Sequence, residues 1–120
     1  MKNRESEEMY LETILLLKER NGLVRSVDIV EELNYAKSSV SRAVNLLKDR
    51  GYIFFEDDGN IVLTDSGTAK ASGILERHEV ITRALEKMGA DHEMAEENAC
   101  RIEHVVSPEM FQIIKDFATK

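Results

Sequence analysis

The sequence predicts a mainly α-helical protein. Its N-terminal part is expected to be a winged helix-turn-helix with a two-stranded β-hairpin as the wing, followed by an all-helical domain. Three observations predict it. Apolar residues recur at helical spacing along most of the chain. Two helical stretches meet at a tight Asn34-Tyr35 break, the arrangement of a helix-turn-helix. The β-rich runs YIFFE and NIVLT then flank Asp57-Asp58-Gly59, and Asp-Gly between such runs signals a hairpin.

Each element has its own signals. Residues 6–20 read as the first helix, with Met9, Tyr10, Ile14 and Leu17 at helical spacing and Asn21-Gly22 as its stop. Ser26 is the expected N-cap of a short second helix, VDIVEEL. There Val27, Val30 and Leu33 form an apolar stripe, with Ile29 beside it. A third helix is expected from about Lys37 to Arg50, with Val40, Val44 and Leu47 inward and Ala43 beside them. Gly51 sits where a left-handed residue belongs, after a basic last turn. Beyond the hairpin, Thr64 or Asp65 can cap a long helix to about Lys87, closed by Met88-Gly89 and containing Gly73. A further helix is expected over residues 91–106. Ser107-Pro108-Glu109 reads as N-cap, N1 and N2 of a last helix. The domain boundary is expected near residue 70, inside the long helix, giving domains over residues 1–70 and 71–120.

Composition excludes several classes. With 42% hydrophobic and 32% charged residues, one proline and six glycines, the chain is neither fibrous nor low-complexity. No apolar run approaches the roughly 20 residues that span a bilayer, and MKNRESEEMY has no apolar signal region, so a cytoplasmic protein without a membrane partner is expected. A single cysteine cannot form an internal disulfide, which fits a reducing compartment. The net charge of −7 argues by itself against nucleic-acid binding. Its distribution does not. Residues 36–50 carry four basic residues against one acidic, whereas residues 76–120 carry six basic against ten acidic.

That local excess lies on the third helix, the one that enters the major groove in a helix-turn-helix. In AKSSVSRAV, Ser38, Arg42 and Asn45 lie opposite the apolar side, Ser39 and Ser41 flank them, and Lys37 stands at the helix start. Arg42 suits guanine, Asn45 suits adenine, the serines suit phosphates or mixed base edges, and Lys37 suits phosphate. The plain alternative is a solvated amphipathic face. The wing tip, EDDGN, is acidic, and phosphate would repel it.

A second constellation lies in ACRIEHV. Cys100, Glu103 and His104 stand at i, i+3 and i+4, so a helix would put thiolate, carboxylate and imidazole on one face. Such a set is half of a transition-metal site with open positions. On spacing alone two readings stand, since a lone cysteine is commonly a small buried hydrophobe and a Glu-His pair commonly faces solvent. The chain has no Cys-x-x-Cys pair, which disfavours a closed structural zinc site. Met9, Glu12 and His78 could complete the shell, with core or surface roles as the alternative. His92 shows no evident partner.

The segments EEMYLETILLL, SSVS, LTDSG, ERHE and ENACRIEHVVS, in this order, resemble the diphtheria toxin repressor family of dimeric, metal-activated transcriptional repressors. The resemblance covers nearly the whole chain, and ACRIEHV is its most specific part. It implies a primary site of the iron type at Met9, Cys100, Glu103 and His104. It matches Glu12 and His78 to ligands of the manganese type. The ancillary site of iron-type members falls, besides His78, on Glu96 and Thr82, and threonine is a poor ligand there. A second metal on Glu12, His78 and Glu103 is the alternative. Larger members add an SH3-like domain, which the shorter two-domain members lack, and the chain resembles the latter.

The expected protein is therefore a non-enzymatic, metal-activated repressor of iron or manganese homeostasis genes, a homodimer on a palindromic operator in double-stranded DNA, with no small-molecule substrate. One or two divalent ions per subunit are expected. Thioether and thiolate ligands favour Fe2+ over Mn2+. The metal would bridge the two domains. The rival is a metal-independent winged-helix regulator with Cys100 as a redox sensor. An enzyme using Cys100 and His104 lacks a glycine-rich turn or an evident oxyanion hole in the sequence. A metal-buffering protein would bind metal and not DNA.

Overall fold

The computed structural model describes residues 2–120, with side chains described from Ser6 onward. The elements run α1 (Lys2–Asn21), α2 (Ser26–Leu33), α3 (Lys37–Asp49), β1 (Ile53–Phe55), β2 (Ile61–Leu63), α4 (Asp65–Met88), α5 (His92–Ile102) and α6 (Pro108–Ala118). They divide into two compact units, the first up to Ser72 and the second Gly73–Lys120, so the division falls inside α4.

In the first unit α1 packs on α2 and α3, and α3 packs on β1. Leu11, Ile14 and Leu17 of α1 are buried with Ile29 of α2, Val40, Val44 and Leu47 of α3, and Ile53 and Ile61 of the hairpin. These are the stripes that helical spacing picks out. Only Ile29 of α2 is fully buried; Val27, expected on its apolar stripe, is exposed. The N-cap of α2 is Arg25 rather than Ser26. The Asp28 carboxylate accepts the Arg25 main-chain N–H at 2.8 Å, half of a capping box one residue earlier, and the Asp28 N–H returns to the Arg25 main-chain carbonyl at 2.9 Å. Asn34 ends α2 in the left-handed region at φ 57°. Gly51 ends α3 in the same region at φ 81°. Its N–H reaches the Lys48 carbonyl, and that of Tyr52 reaches Leu47, a Schellman closure.

The hairpin is antiparallel, with Ile53 opposite Leu63, Phe54 opposite Val62 and Phe55 opposite Ile61. Asn60, just before β2, anchors it. Its buried side-chain oxygen accepts from the Val24 N–H at 3.0 Å and from Lys18 Nζ at 3.1 Å, and its amide nitrogen donates to Glu56 Oε1 at 2.8 Å. Arg25 donates through Nε to the Asp58 carbonyl at 3.0 Å, which pins the acidic tip. Thr64 caps α4 by accepting from the Gly67 N–H at 3.1 Å. Gly67 has to be glycine, because a Cβ there would lie 2.0 Å from the Tyr52 carbonyl oxygen.

In the second unit Gly89 closes α4 at φ 119°. Asp91 caps α5 by accepting from the Met94 N–H at 2.9 Å, and Ser107 caps α6 from the Met110 N–H at 3.1 Å, with Pro108 in the first turn. Helix α5 stops at Ile102, four residues short of the expected 106. The N–H groups of Val105 and Val106 both turn back to the Ile102 carbonyl, so residues 103–106 form a turn. Charged side chains of α4 fasten α6: Lys115 meets Glu76 at 2.9 Å, and Lys87 donates to the Phe117 carbonyl at 2.8 Å. Among the described residues no helix is long and apolar enough to cross a membrane.

Candidate metal centre and nucleic-acid interface

The end of α5 faces the middle of α4, and charge chemistry concentrates there. Glu103 is fully buried. Its Oε1 lies 3.2 Å from His78 Nδ1 and 4.0 Å from His104 Nε2. Arg77, next to His78, donates through Nη1 to the main-chain carbonyls of Glu103 at 3.0 Å and Val106 at 3.3 Å. Its guanidinium stands over the Phe111 ring. Consecutive residues of α4 thus hold the Glu103 backbone and the Glu103 side chain. A carboxylate beside two imidazoles, with its turn fixed by a charged donor, is a donor set that fits a divalent transition ion.

The expectation of three ligands on one helical face holds only in part. Glu103 keeps helical backbone angles and donates to the Ala99 carbonyl at 2.9 Å, but it and His104 stand beyond the end of α5. Cys100 is exposed while Glu103 is buried, so the two do not share one environment. The Cys100 thiol lines an open groove with His78, Glu96, Glu97 and Arg101. His78 therefore stands between the groove and the buried carboxylate. Thr82 gives its hydroxyl to the His78 carbonyl at 2.7 Å, and Glu96 Oε2 is 3.8 Å from His78 Nε2.

His92, which shows no partner in the sequence, has two. Its Nδ1 is 2.5 Å from Glu86 Oε2, and its Nε2 is 3.8 Å from Glu96 Oε1. The hydrogen bond to Glu86, helped by the charge of Glu96, pushes its pKa above the ordinary imidazole value. The i, i+4 spacing of His92 and Glu96 was the available signal; the Glu86 contact needs the Gly89 turn.

In the first unit Met9 and Glu12 stand one turn apart on α1, both half-buried. Met9 Sδ accepts from the Tyr35 hydroxyl at 3.7 Å, and the Tyr35 ring meets Tyr10 edge-on with centroids 6.3 Å apart. Burial, then the neighbouring Tyr35, raises the Tyr10 pKa. Sequence reasoning missed Tyr35, and a lone tyrosine in a turn gives no signal for such a contact. It also missed Glu7, a buried carboxylate of α1 that meets Arg50 at 3.1 Å and Lys70 at 3.7 Å.

On α3, Lys37, Ser38, Ser41, Arg42 and Asn45 are exposed, and Ser39 is half-buried at the edge of that face. Asn45 Nδ2 donates to the Ser41 carbonyl at 2.8 Å, and its side-chain oxygen can still accept.

Comparisons with known proteins match the chain in two parts, which meet just before α4. Residues 4–61 match the iron dependent repressor N-terminal DNA binding domain, and residues 64–120 match the iron dependent repressor metal binding and dimerisation domain. An HTH-type transcriptional regulator of Methanocaldococcus jannaschii is 36% identical over 118 residues, covering 97% of this chain and 94% of that protein. The HTH-type transcriptional regulator MntR of Bacillus subtilis is 34% identical over 102 residues, covering 85% of this chain and 72% of its own. Among solved structures, IdeR of T. acidophilum is 29% identical with a TM-score of 0.79, covering 91% of this chain and 52% of that one. The manganese regulator SloR shares the fold with a TM-score of 0.82 at 24% identity, covering 94% of this chain and 53% of that one. The chain spans about half the length of these solved proteins. It belongs to the iron-dependent repressor family, the metal-dependent transcriptional regulators that its EEMYLE and ACRIEHV segments resemble.

Proposed function

We propose that this chain is a metal-activated repressor that binds a palindromic operator as a homodimer and controls genes of iron or manganese homeostasis. The observation that carries the reading is the buried Glu103 carboxylate with the imidazoles of His78 and His104 beside it. A buried carboxylate beside two imidazoles brings oxygen and nitrogen donors together, the donor chemistry that a divalent transition ion takes. Met9 and Glu12 of the first unit would join His78, Cys100, Glu103 and His104 of the second as ligands of one or two ions per subunit. When bound, the metal supplies bonds that couple the two units. Lys37 contacts phosphate, Arg42 and Asn45 read base edges, and Ser38, Ser39 and Ser41 contact phosphates or mixed edges. Thioether and thiolate favour Fe(II) over Mn(II). The exposed Met110 and Ile113 of α6 support a dimer face on the second unit.

The test is operator binding under anaerobic conditions, titrated with Fe(II) and then Mn(II). The wild-type chain is expected to bind operator DNA about tenfold or more tightly with Fe(II). The double variant Glu103→Gln, His104→Ala is expected to lose the response, and a full response would overturn the ligand assignment. The exposed Cys100 thiol favours a second reading, a metal-independent regulator switched by thiol oxidation. It predicts that peroxide, not Fe(II), changes DNA binding and that Cys100→Ser abolishes the change.

A further inference from the structure

We infer that Tyr35 is a positioning residue: its hydroxyl fixes the Met9 thioether for metal, and its ring ties that ligand to the start of the recognition helix. The inference rests on the reading of Met9 as a ligand and extends it to a residue that no motif marks.

The geometry lies wholly within the first unit. Tyr35 stands in the turn between α2 and α3, two residues before Lys37. Its backbone is set by Asn34, which is left-handed at φ 57° and whose N–H is bound to the Val30 carbonyl. Its side chain crosses to α1. There the ring edge meets buried Tyr10 and the hydroxyl donates to Met9 Sδ at 3.7 Å. The N-cap of α3 is Ala36, which has no side-chain cap to offer. The start of α3 is therefore held by main-chain bonds, by Val40 buried in the core and by the reach of Tyr35 to α1.

Methionine has three rotatable bonds and makes an imprecise ligand unless something holds it. A hydroxyl donated to the sulfur removes that freedom and leaves a second lone pair for a metal. Partners that orient a ligand commonly set metal affinity. The bond also works in the other direction. A sulfur held by metal holds the Tyr35 hydroxyl, and with it the turn that leads into α3.

The test compares Tyr35→Phe, which keeps the ring against Tyr10, with Met9→Leu, which keeps the bulk and removes the sulfur. Binding of Co(II) and of Mn(II) is titrated on the full chain without DNA. Tyr35→Phe is expected to weaken Co(II) by about threefold to tenfold, and Mn(II), which draws little on a thioether, by less than about twofold. In the metal-free protein the Met9 methyl NMR signal is expected to move towards the position of a freely rotating methionine. On Co(II) loading, exchange of the Val40 amide, which is bound to the Ala36 carbonyl, is expected to slow in the wild type and not in Tyr35→Phe. If Tyr35→Phe binds Co(II) like the wild type while Met9→Leu is weakened, the role of Tyr35 falls and the Met9 assignment stands. If Met9→Leu also binds like the wild type, Met9 is no ligand and both fall. Equal weakening towards Co(II) and Mn(II) would place the effect elsewhere than on the sulfur and overturn the inference.

Discussion

The interior of the first unit is built from large aliphatic side chains: Leu11, Ile14, Ile29, Leu47, Ile53 and Ile61 are all essentially inaccessible. The buried apolar positions of the second unit are Ile74, Val80, Ile81 and three alanines, Ala84, Ala95 and Ala99. Apolar burial scales with side-chain area, so the first unit gains far more from its core. The second relies on charged donors to main-chain carbonyls, Arg77 onto the 103–106 turn and Lys87 onto the end of α6. It also leaves Val105, Met110 and Ile113 exposed. The two units divide the labour. The first unit packs a large aliphatic core behind α3, the helix proposed to read DNA. The second has a smaller apolar core set among titratable groups, and it carries the exposed apolar residues that a partner copy would cover.

The sharpest way to break that comparison uses two glycines of α4, one in each unit. Gly67→Ala would drive a Cβ to 2.0 Å from the Tyr52 carbonyl, and that carbonyl already accepts the Thr64 N–H at 2.9 Å. Backbone on both sides would have to move. We expect a loss of about 3 kcal/mol and a Tm lower by on the order of 10 °C. Gly73→Ala meets nothing within 4 Å and replaces a poor helix former with the best one. It should stabilise by about 0.5–1 kcal/mol. Thermal unfolding followed by circular dichroism checks both, and equal signs would refute the contrast.

On the second unit the expected effect is on association. Ile113 is 60% exposed in the single chain. Ile113→Asp puts a charge on the apolar face of α6 and should weaken a homodimer by about 30-fold or more, as loss of an interface anchor does. Sedimentation velocity across a concentration series reads it. An unchanged dimer would move the interface off α6.

A smaller loss is expected at the wing. Asn60→Ala removes the acceptor of the buried Val24 N–H and the donor to Glu56, which should cost about 1–3 kcal/mol in urea unfolding. Asn60 also marks where the sequence stops being legible. Periodicity finds Val40, Val44 and Leu47, and turn chemistry finds Gly51, Asp91 and Ser107, because these signals are local. The Asn60 hub joins α1, the Val24 loop and the hairpin, and no spacing encodes it.

The candidate site divides in the same way. Cys100, Glu103 and His104 can be picked as candidate ligands because they are neighbours in sequence, and Met9, Glu12 and His78 because a family resemblance marks them as candidates. The end of α5 at Ile102 was not legible, since the turn at 103–106 is held by Arg77, a side chain 26 residues from Glu103. Tyr35 and Glu7 escaped for the same reason.

The smallest expected effect lies at the rim of the second unit and concerns pH. His92 is held between Glu86 and Glu96, and its pKa is raised chiefly by the Glu86 hydrogen bond. A histidine whose folded pKa exceeds its unfolded one stabilises the fold fully below the unfolded value, near 6.5, and loses that contribution as pH rises through the folded value. The difference in stability between the wild type and His92→Gln should therefore shrink as pH rises from about 6 to 9. The side chain is exposed, so solvent screening keeps the difference small. Urea unfolding of both chains across that range reads the slope. A difference that grows with pH would mean that His92 is held neutral, and that the rim of the second unit is not fastened by its charge.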